Sequence, residues 1–298
     1  MAKYKKELPL AEITNDDLKK IQAKSLEILL YFKEICDKHS LLFYFCGGCC
    51  IGTLRNQGFI PWDDDVDVFM PRDDYEKLKV VWKEEADPEK YTCVTTDRDN
   101  YSRMLFATYN DNHTTFIKQR QVDVDTNHGF RVEVLPLDGC PDSRFKRRMQ
   151  MMWALLYSMF ISGEAPTSKG LALRIIGNIL LVLFSTKGLR YRAWRFCEKR
   201  MSRFKWQDCS RVTELCARFV YMGNEYPREA FDSAVYKEFE GHMMPIPVGY
   251  DAYLTMAFGD YMTPPPPEKQ VAKHEIVYYN TEEGYEQYKG SYYCVPEK

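Results

Sequence analysis

Apolar residues near the start of the chain recur at helical spacing. Leu18, Ile21, Ile28, Leu29, Phe32, Ile35 and Cys36 fall on one stripe, which predicts a long helix over 14–38. Thr14 or Asn15 can cap it, and Asp16 and Asp17 lie where the helix dipole is positive. The period then changes. Residues 41–45 form a short apolar run that reads as a buried strand, broken at once by Gly47-Gly48, with a short helix expected over 49–55. Gly58 and Pro61 make 56–62 a loop. Over 64–70, Asp64, Val66, Val68 and Met70 alternate with Asp65, Asp67 and Phe69, the period of a strand, and Pro71 ends it. A second helix is expected over 73–85, facing inward through Tyr75, Leu78 and Val81 or Trp82.

Strand-like runs follow at 91–95, 104–109, 115–119 and 130–135. Helices followed by a cluster of strands predict an α+β fold with a mixed sheet. From Arg144 to about Met222 the pattern becomes long and helical, rich in Met, Trp, Leu, Arg and Lys. Residues 250–258 read as a helix ending at Gly259, and the four prolines at 264–267 exclude helix or central strand.

Length and charge sharpen this picture. The 298 residues suit one large domain or two modest ones, and 45% apolar with 28% charged residues excludes disordered and fibrous chains. The net charge of −2 argues against a general nucleic-acid binder. It conceals a segment, 144–205, with fourteen Lys and Arg against only Glu164 and Glu198, a surplus of +12. Such a segment ordinarily faces something anionic. Its apolar runs fall short of the roughly 20 residues a spanning helix needs. Two expectations stay open for it: helices lying in the interface of an anionic membrane, or a helical subdomain with a basic rim. The N-terminal ten residues lack the apolar stretch of a secretory signal, so a reducing compartment and free thiols are expected for the ten cysteines. Cys46, Cys49 and Cys50 have no second ligand pair nearby and read as small buried thiols rather than a zinc site.

The chemistry centres on Gly47-Gly48 and Asp65-Val66-Asp67. Carboxylates two apart on a strand project from one face, where they repel unless a hard divalent cation such as Mg²⁺ lies between them. Paired glycines before a helix let a backbone approach a phosphate. Together these parts suit a metal-complexed diphosphate. Glu133, between Val132 and Val134, is a third acid that converges on them if its strand lies beside that of Asp65 and Asp67.

The stretch from Gly47 to Asp67 (GGCCIGTLRNQGFIPWDDDVD) resembles the signature of the LicD family, which includes bacterial phosphocholine transferases and is related to fukutin and fukutin-related protein. Val132 to Gly139 resembles a second family block, and Tyr253 to His274, with Phe258-Gly259-Asp260-Tyr261-Met262, a third. The resemblance implies a nucleotidyltransferase-like catalytic core, a mixed sheet with flanking helices. With the residue pattern it divides the chain into that core at 1–143, a basic apolar helical subdomain read as an insertion at 144–222, and a C-terminal segment at 223–298 that completes the active site. It implies transfer of a phospho-alcohol, phosphocholine foremost, from a CDP-activated donor to a hydroxyl of a cell-surface or lipid-linked glycan, with CMP released.

On that reading Asp65, Asp67 and Glu133 are catalytic and hold Mg²⁺ or Mn²⁺. Asp65 and Asp67 match the family's metal pair, and Glu133 stands where members commonly carry Asp. The donor and its phosphates fall to Gly47, Gly48, Arg55, Trp62, Asp138 and His274, the last aided by Lys269 or Lys273. Glu133 or Asp138 takes the acceptor's proton, with Glu133 favoured by position, and Trp62 either stacks on the donor or packs its loop. The expected setting is cytoplasmic, peripheral at the cytosolic membrane face through 144–205. The rival readings are a nucleotidyltransferase adding NMP to a small molecule, and a non-catalytic glycan- or phosphate-binding protein.

Overall fold

The computed structural model describes residues 3–165, 171–272 and 274–297. The first helix, α1 (Asn15–Lys38), starts at a capping box: the Thr14 hydroxyl accepts from the Asp17 N–H, and the Asp17 carboxylate accepts from the Thr14 N–H. All seven residues of its predicted stripe are buried. It is followed by β1 (Tyr44–Phe45), α2 (Gly47–Asn56), β2 (Val66–Pro71), α3 (Arg72–Glu85), β3 (Tyr91–Val94), β4 (Ala107–Asp111), β5 (Thr115–Lys118) and β6 (Arg131–Cys140).

The fold is α+β. Its main sheet runs β1-β2-β6-β4-β3, with β2 parallel to β6 and the other pairs antiparallel. The β2–β6 register sets Asp67 directly beside Glu133. The last strand is longer than its alternation predicted because β6 changes partner along one edge. Its first half pairs β4 through Val134, and its second half pairs β7 (Arg211–Glu214) from Leu137 onward. Pro136 falls between the two partners, where the missing N–H breaks no ladder on that edge.

Between β6 and β7 the chain runs through α4 (Arg144–Ser162), α5 (Leu171–Leu183) and α6 (Lys187–Met201). The helical run expected to about Met222 ends at Met201, and β7 rejoins the main sheet. α4 and α6 carry their own core around Ala154, Tyr157, Phe160, Trp194, Cys197 and Met201, with Leu215, Cys216 and Met222 completing it. Two buried polar side chains tie α4 to the sheet. Arg147 donates to the carbonyl of Met222 (2.6 Å) and to the Thr213 hydroxyl (3.0 Å), and Gln150 donates to the carbonyls of Gly139 (2.8 Å) and Met201 (3.0 Å).

The C-terminal third contains elements that the sequence pattern did not show. After α7 (Phe219–Met222) and β8 (Tyr226–Pro227) comes a hairpin of β9 (Ala234–Phe239) and β10 (His242–Pro247), turned at Glu240 and Gly241, both with positive φ. Its Glu240 carboxylate accepts from the Phe59 N–H at 3.0 Å and so holds the loop after α2. α8 (Tyr250–Phe258) ends at Gly259 as expected. Finally β11 (Ile276–Asn280) pairs antiparallel with β5, setting Ile276 opposite Lys118. That pairing brings the segment containing His274 back to the first half of the chain.

All ten cysteines are free thiols, and burial pushes Cys46 and Cys49 well above their usual range. Protonated, enclosed thiols fit the packing reading rather than a zinc site.

Candidate active site

The loop before β2 enters the site under restraint. The Gln22 side chain on α1 donates to the carbonyls of Ile60 (3.2 Å) and Asp63 (2.9 Å), fixing the approach of the triple aspartate. Asp63 is buried against the start of α2, where a Cβ on Gly48 would lie 1.9 Å from its Oδ2. Gly48 is therefore required by the carboxylate of Asp63, and the space expected for a phosphate at that residue holds this side chain instead. Gly47, at φ +49°, donates its N–H to Tyr253 Oη on α8 at 2.9 Å. The glycine turn is thus clamped between Asp63 and α8.

Next along the chain, Asp64 and Asp65 meet His274. His274 Nδ1 lies 2.6 Å from Asp64 Oδ1, and Nε2 lies 3.4 Å from Asp65 Oδ2. One ligand atom from each of the three falls within 4.8 Å of the others. Asp67 follows on the face shared with Asp65 and Glu133. Burial pushes its carboxyl well above the usual range, and the neighbouring charges of Asp65 and Glu133 add to the effect. Asp64 Oδ2 and Asp67 Oδ1 are buried with no hydrogen-bond partner. Enclosed carboxylate oxygens without partners are costly unless something binds them. Carboxylates with one imidazole are a donor set that Mg²⁺ or Mn²⁺ accepts, so the residues fit a divalent cation.

Glu133 lies in a different environment. Its Oε1 accepts from Lys118 Nζ (3.4 Å), Arg120 Nη2 (3.3 Å) and Arg131 Nε (3.0 Å). Burial alone would raise its pKa. Lys118, Arg131 and Arg120 outweigh that and hold it well below the usual carboxylate range. A carboxylate so held is a weak base, and its charge is already matched. Lys118 Nζ also lies 3.9 Å from Asp65 Oδ2, so it links Glu133 to the aspartates.

The remaining expected residues divide. His274 is in the site, while Lys273 lies outside the described residues. Trp62 is half-buried and packs on the main core, the packing alternative of its two readings. Arg55 donates Nη1 to the Tyr261 carbonyl at 3.3 Å. Asp138 does not reach the site: it is five residues beyond Glu133 on the same strand and so faces the opposite side of the sheet. There Arg72 holds it with two parallel hydrogen bonds of 2.8 and 2.7 Å, its side chain wholly enclosed.

Sequence reasoning missed Asp63, Asp64, Lys118, Arg120 and Arg131. Asp63 lies before the expected strand, and alternation put Asp64 on the apolar face with Val66 and Val68, whereas the strand begins only at Val66 and Asp64 turns to His274. Lys118 ends an apolar run, and only its burial against Glu133 and Asp65 in the folded chain shows that it turns inward.

Comparison with known proteins gives this arrangement a setting. Residues 41–146 match the family described as LicD/FKTN/FKRP, nucleotidyltransferase domain. Over 269 residues the chain is 26% identical to the lipopolysaccharide cholinephosphotransferase LicD of Haemophilus influenzae, covering 86% of this chain and 96% of that protein.

Proposed function

Because the chain belongs to the LicD family, we propose that it is a metal-dependent phosphotransferase that moves phosphocholine from a CDP-activated donor to a hydroxyl of a glycan and releases CMP. The observation that carries this reading is the convergence of Asp64, Asp65 and His274 beside Asp67, with two buried carboxylate oxygens lacking partners. The name of the Haemophilus relative supports phosphocholine as cargo and a lipopolysaccharide-type glycan, free or lipid-linked, as acceptor.

Asp64, Asp65, Asp67 and His274 are the residues that would hold the cation. When bound there, a divalent cation supplies positive charge against the donor's diphosphate and the departing CMP. Arg120 has a half-exposed side chain and lies beside buried Lys118, which places positive charge at the rim of the same face. In the reaction, the acceptor oxygen forms a bond to the phosphorus bearing choline, and the bond from that phosphorus to the CMP oxygen breaks. The hydroxyl proton passes to a carboxylate of the site. Glu133, held by Lys118, Arg120 and Arg131, is a weak acceptor for it. Arg55 donates Nη1 to the Tyr261 carbonyl and so joins the α2 end to the chain beyond α8, with its other N–H groups left for a donor phosphate.

The test measures CMP and pyrophosphate released with Mg²⁺ or Mn²⁺ from CDP-choline, CDP-ribitol, CDP-glycerol and CTP, with D65N/D67N as the blank. CMP from CDP-choline alone, lost in the blank, is the expected result. Pyrophosphate from CTP without CMP from any CDP-alcohol would replace this reading with nucleotidyl transfer.

A further inference from the structure

Away from the candidate site, the α4–α6 unit leaves a large apolar surface uncovered. α5 packs inward through Leu180 and Leu181. Its other side is open: Ile176 and Ile179 are 52% and 54% exposed, and Val182 73%. Beside it lies an apolar groove of about 460 Å³, walled by Trp153, Leu156 and Phe160 of α4, Leu180 of α5 and Phe196 of α6, with Arg192 at its edge. Contiguous exposed aliphatic surface of this kind marks an interaction site.

Charge selects the occupant. The segment 144–205 holds fourteen Lys and Arg against two acids. One of those acids, Glu198, is engaged by Arg195 and Arg72. Arg144, Lys146, Arg148, Lys187 and Lys199 are exposed on α4 and α6, the helices that wall the groove, and exposed Arg192 lines it. A second copy of the chain would bring an equally basic rim against this one, and like charges oppose that contact. An anionic surface satisfies both the rim and the apolar centre.

Length selects the mode. α5 has 13 residues, about 20 Å of helix, against a hydrocarbon thickness of roughly 30 Å. Among the described residues no helix is long and apolar enough to cross a membrane. A short apolar helix among basic residues lies flat in the headgroup region instead.

We propose that the α4–α6 face docks on an anionic lipid bilayer, with the exposed side of α5 at the acyl boundary and the basic residues among the headgroups. The inference rests on exposed residues remote from Asp65 and Asp67 and holds whichever reaction the site performs.

Flotation with phosphatidylcholine vesicles, with and without phosphatidylglycerol, tests it. The protein rises with the phosphatidylglycerol vesicles at low salt and much less at high salt, because headgroup attraction is screened. I176E/I179E and, separately, R148E/R192E weaken vesicle binding by about tenfold or more, with unchanged near-ultraviolet circular dichroism. Wild-type protein that stays at the bottom with anionic vesicles at low salt overturns the proposal. So does equal flotation of wild type and both variants. A dimer by light scattering that I176E/I179E breaks, with no flotation, overturns it too and assigns the face to a second copy.

Discussion

Glu133 and Asp138 are five positions apart on one strand, and each is held by cations, yet they serve different regions. Asp138 is closed in a two-point contact with Arg72 on the far side of the sheet. Removing one partner strands a buried charge, so D138N or R72M is expected to cost about 3–5 kcal/mol. Turnover per folded molecule should be unchanged. Paired thermal melts and rates normalised to folded protein check this, and a large rate loss at unchanged stability would return Asp138 to the donor site. Glu133 balances Lys118, Arg131 and Arg120 beside the aspartates. E133Q is expected to lower stability and activity together while leaving divalent-cation affinity close to wild type, measured by calorimetric titration. Period two in the sequence already placed Asp65 and Asp67 on one face, and the same parity assigns Asp138 to the other. The same parity misassigned Asp64 to the apolar face, because the strand starts at Val66 and Asp64 lies in the loop before it, and the Lys118 side chain turns toward acids that only tertiary pairing supplies.

Among the elements, the junction of α2 with the aspartate loop and the pairing of β5 with β11 shape the site. At the first, a methyl group on Gly48 would meet Asp63 Oδ2 at 1.9 Å. G48A should therefore lower both the melting temperature and activity. G48A/D63A should recover much of the stability, a coupling that a double-mutant cycle reads directly. At the second, His128 is buried against the Tyr293 ring, with Nε2 3.0 Å from the Val124 carbonyl. Burial pushes its pKa down to about 4. A group depressed in the folded state contributes stability that is complete above its ordinary value near 6.5 and is lost as pH falls toward 4. The loss is on the order of 3 kcal/mol, and it loosens the C-terminal packing around Tyr293 that accompanies β11. Melting temperatures from pH 7 to pH 4 should fall less steeply in H128F than in wild type. The helices α1, α2, α3 and α8 were legible from apolar period, caps and glycine stops. β7, β9, β10 and β11 were not: β7 and β11 take their places through partners distant in sequence, and the β9–β10 hairpin shows no regular alternation of buried and exposed positions.

For the whole molecule, the described residues form two large apolar cores and a smaller third around Ile117, Val277 and Tyr293, where β5 meets β11. Of the large pair, one builds the mixed sheet with the aspartates along a face, and the other builds the basic helical unit that projects from it. The return of the last strand to β5 makes the site a product of both ends of the chain: Asp64 and Asp65 come from the first quarter, and His274 comes from beyond the proline run. No local window of sequence contains that trio, though the resemblance of its separate blocks to one family pointed to both parts. The central claim is that these residues bind a divalent cation in the service of a CDP-linked donor. Electron paramagnetic titration of Mn²⁺ into wild type, D65N and H274A, with and without CDP-choline, tests it most directly. Wild type should bind Mn²⁺ more tightly when CDP-choline is present. D65N and H274A should each lose at least about tenfold in affinity, and the nucleotide should no longer strengthen binding. Mn²⁺ affinity equal in all three proteins and indifferent to CDP-choline would contradict the account.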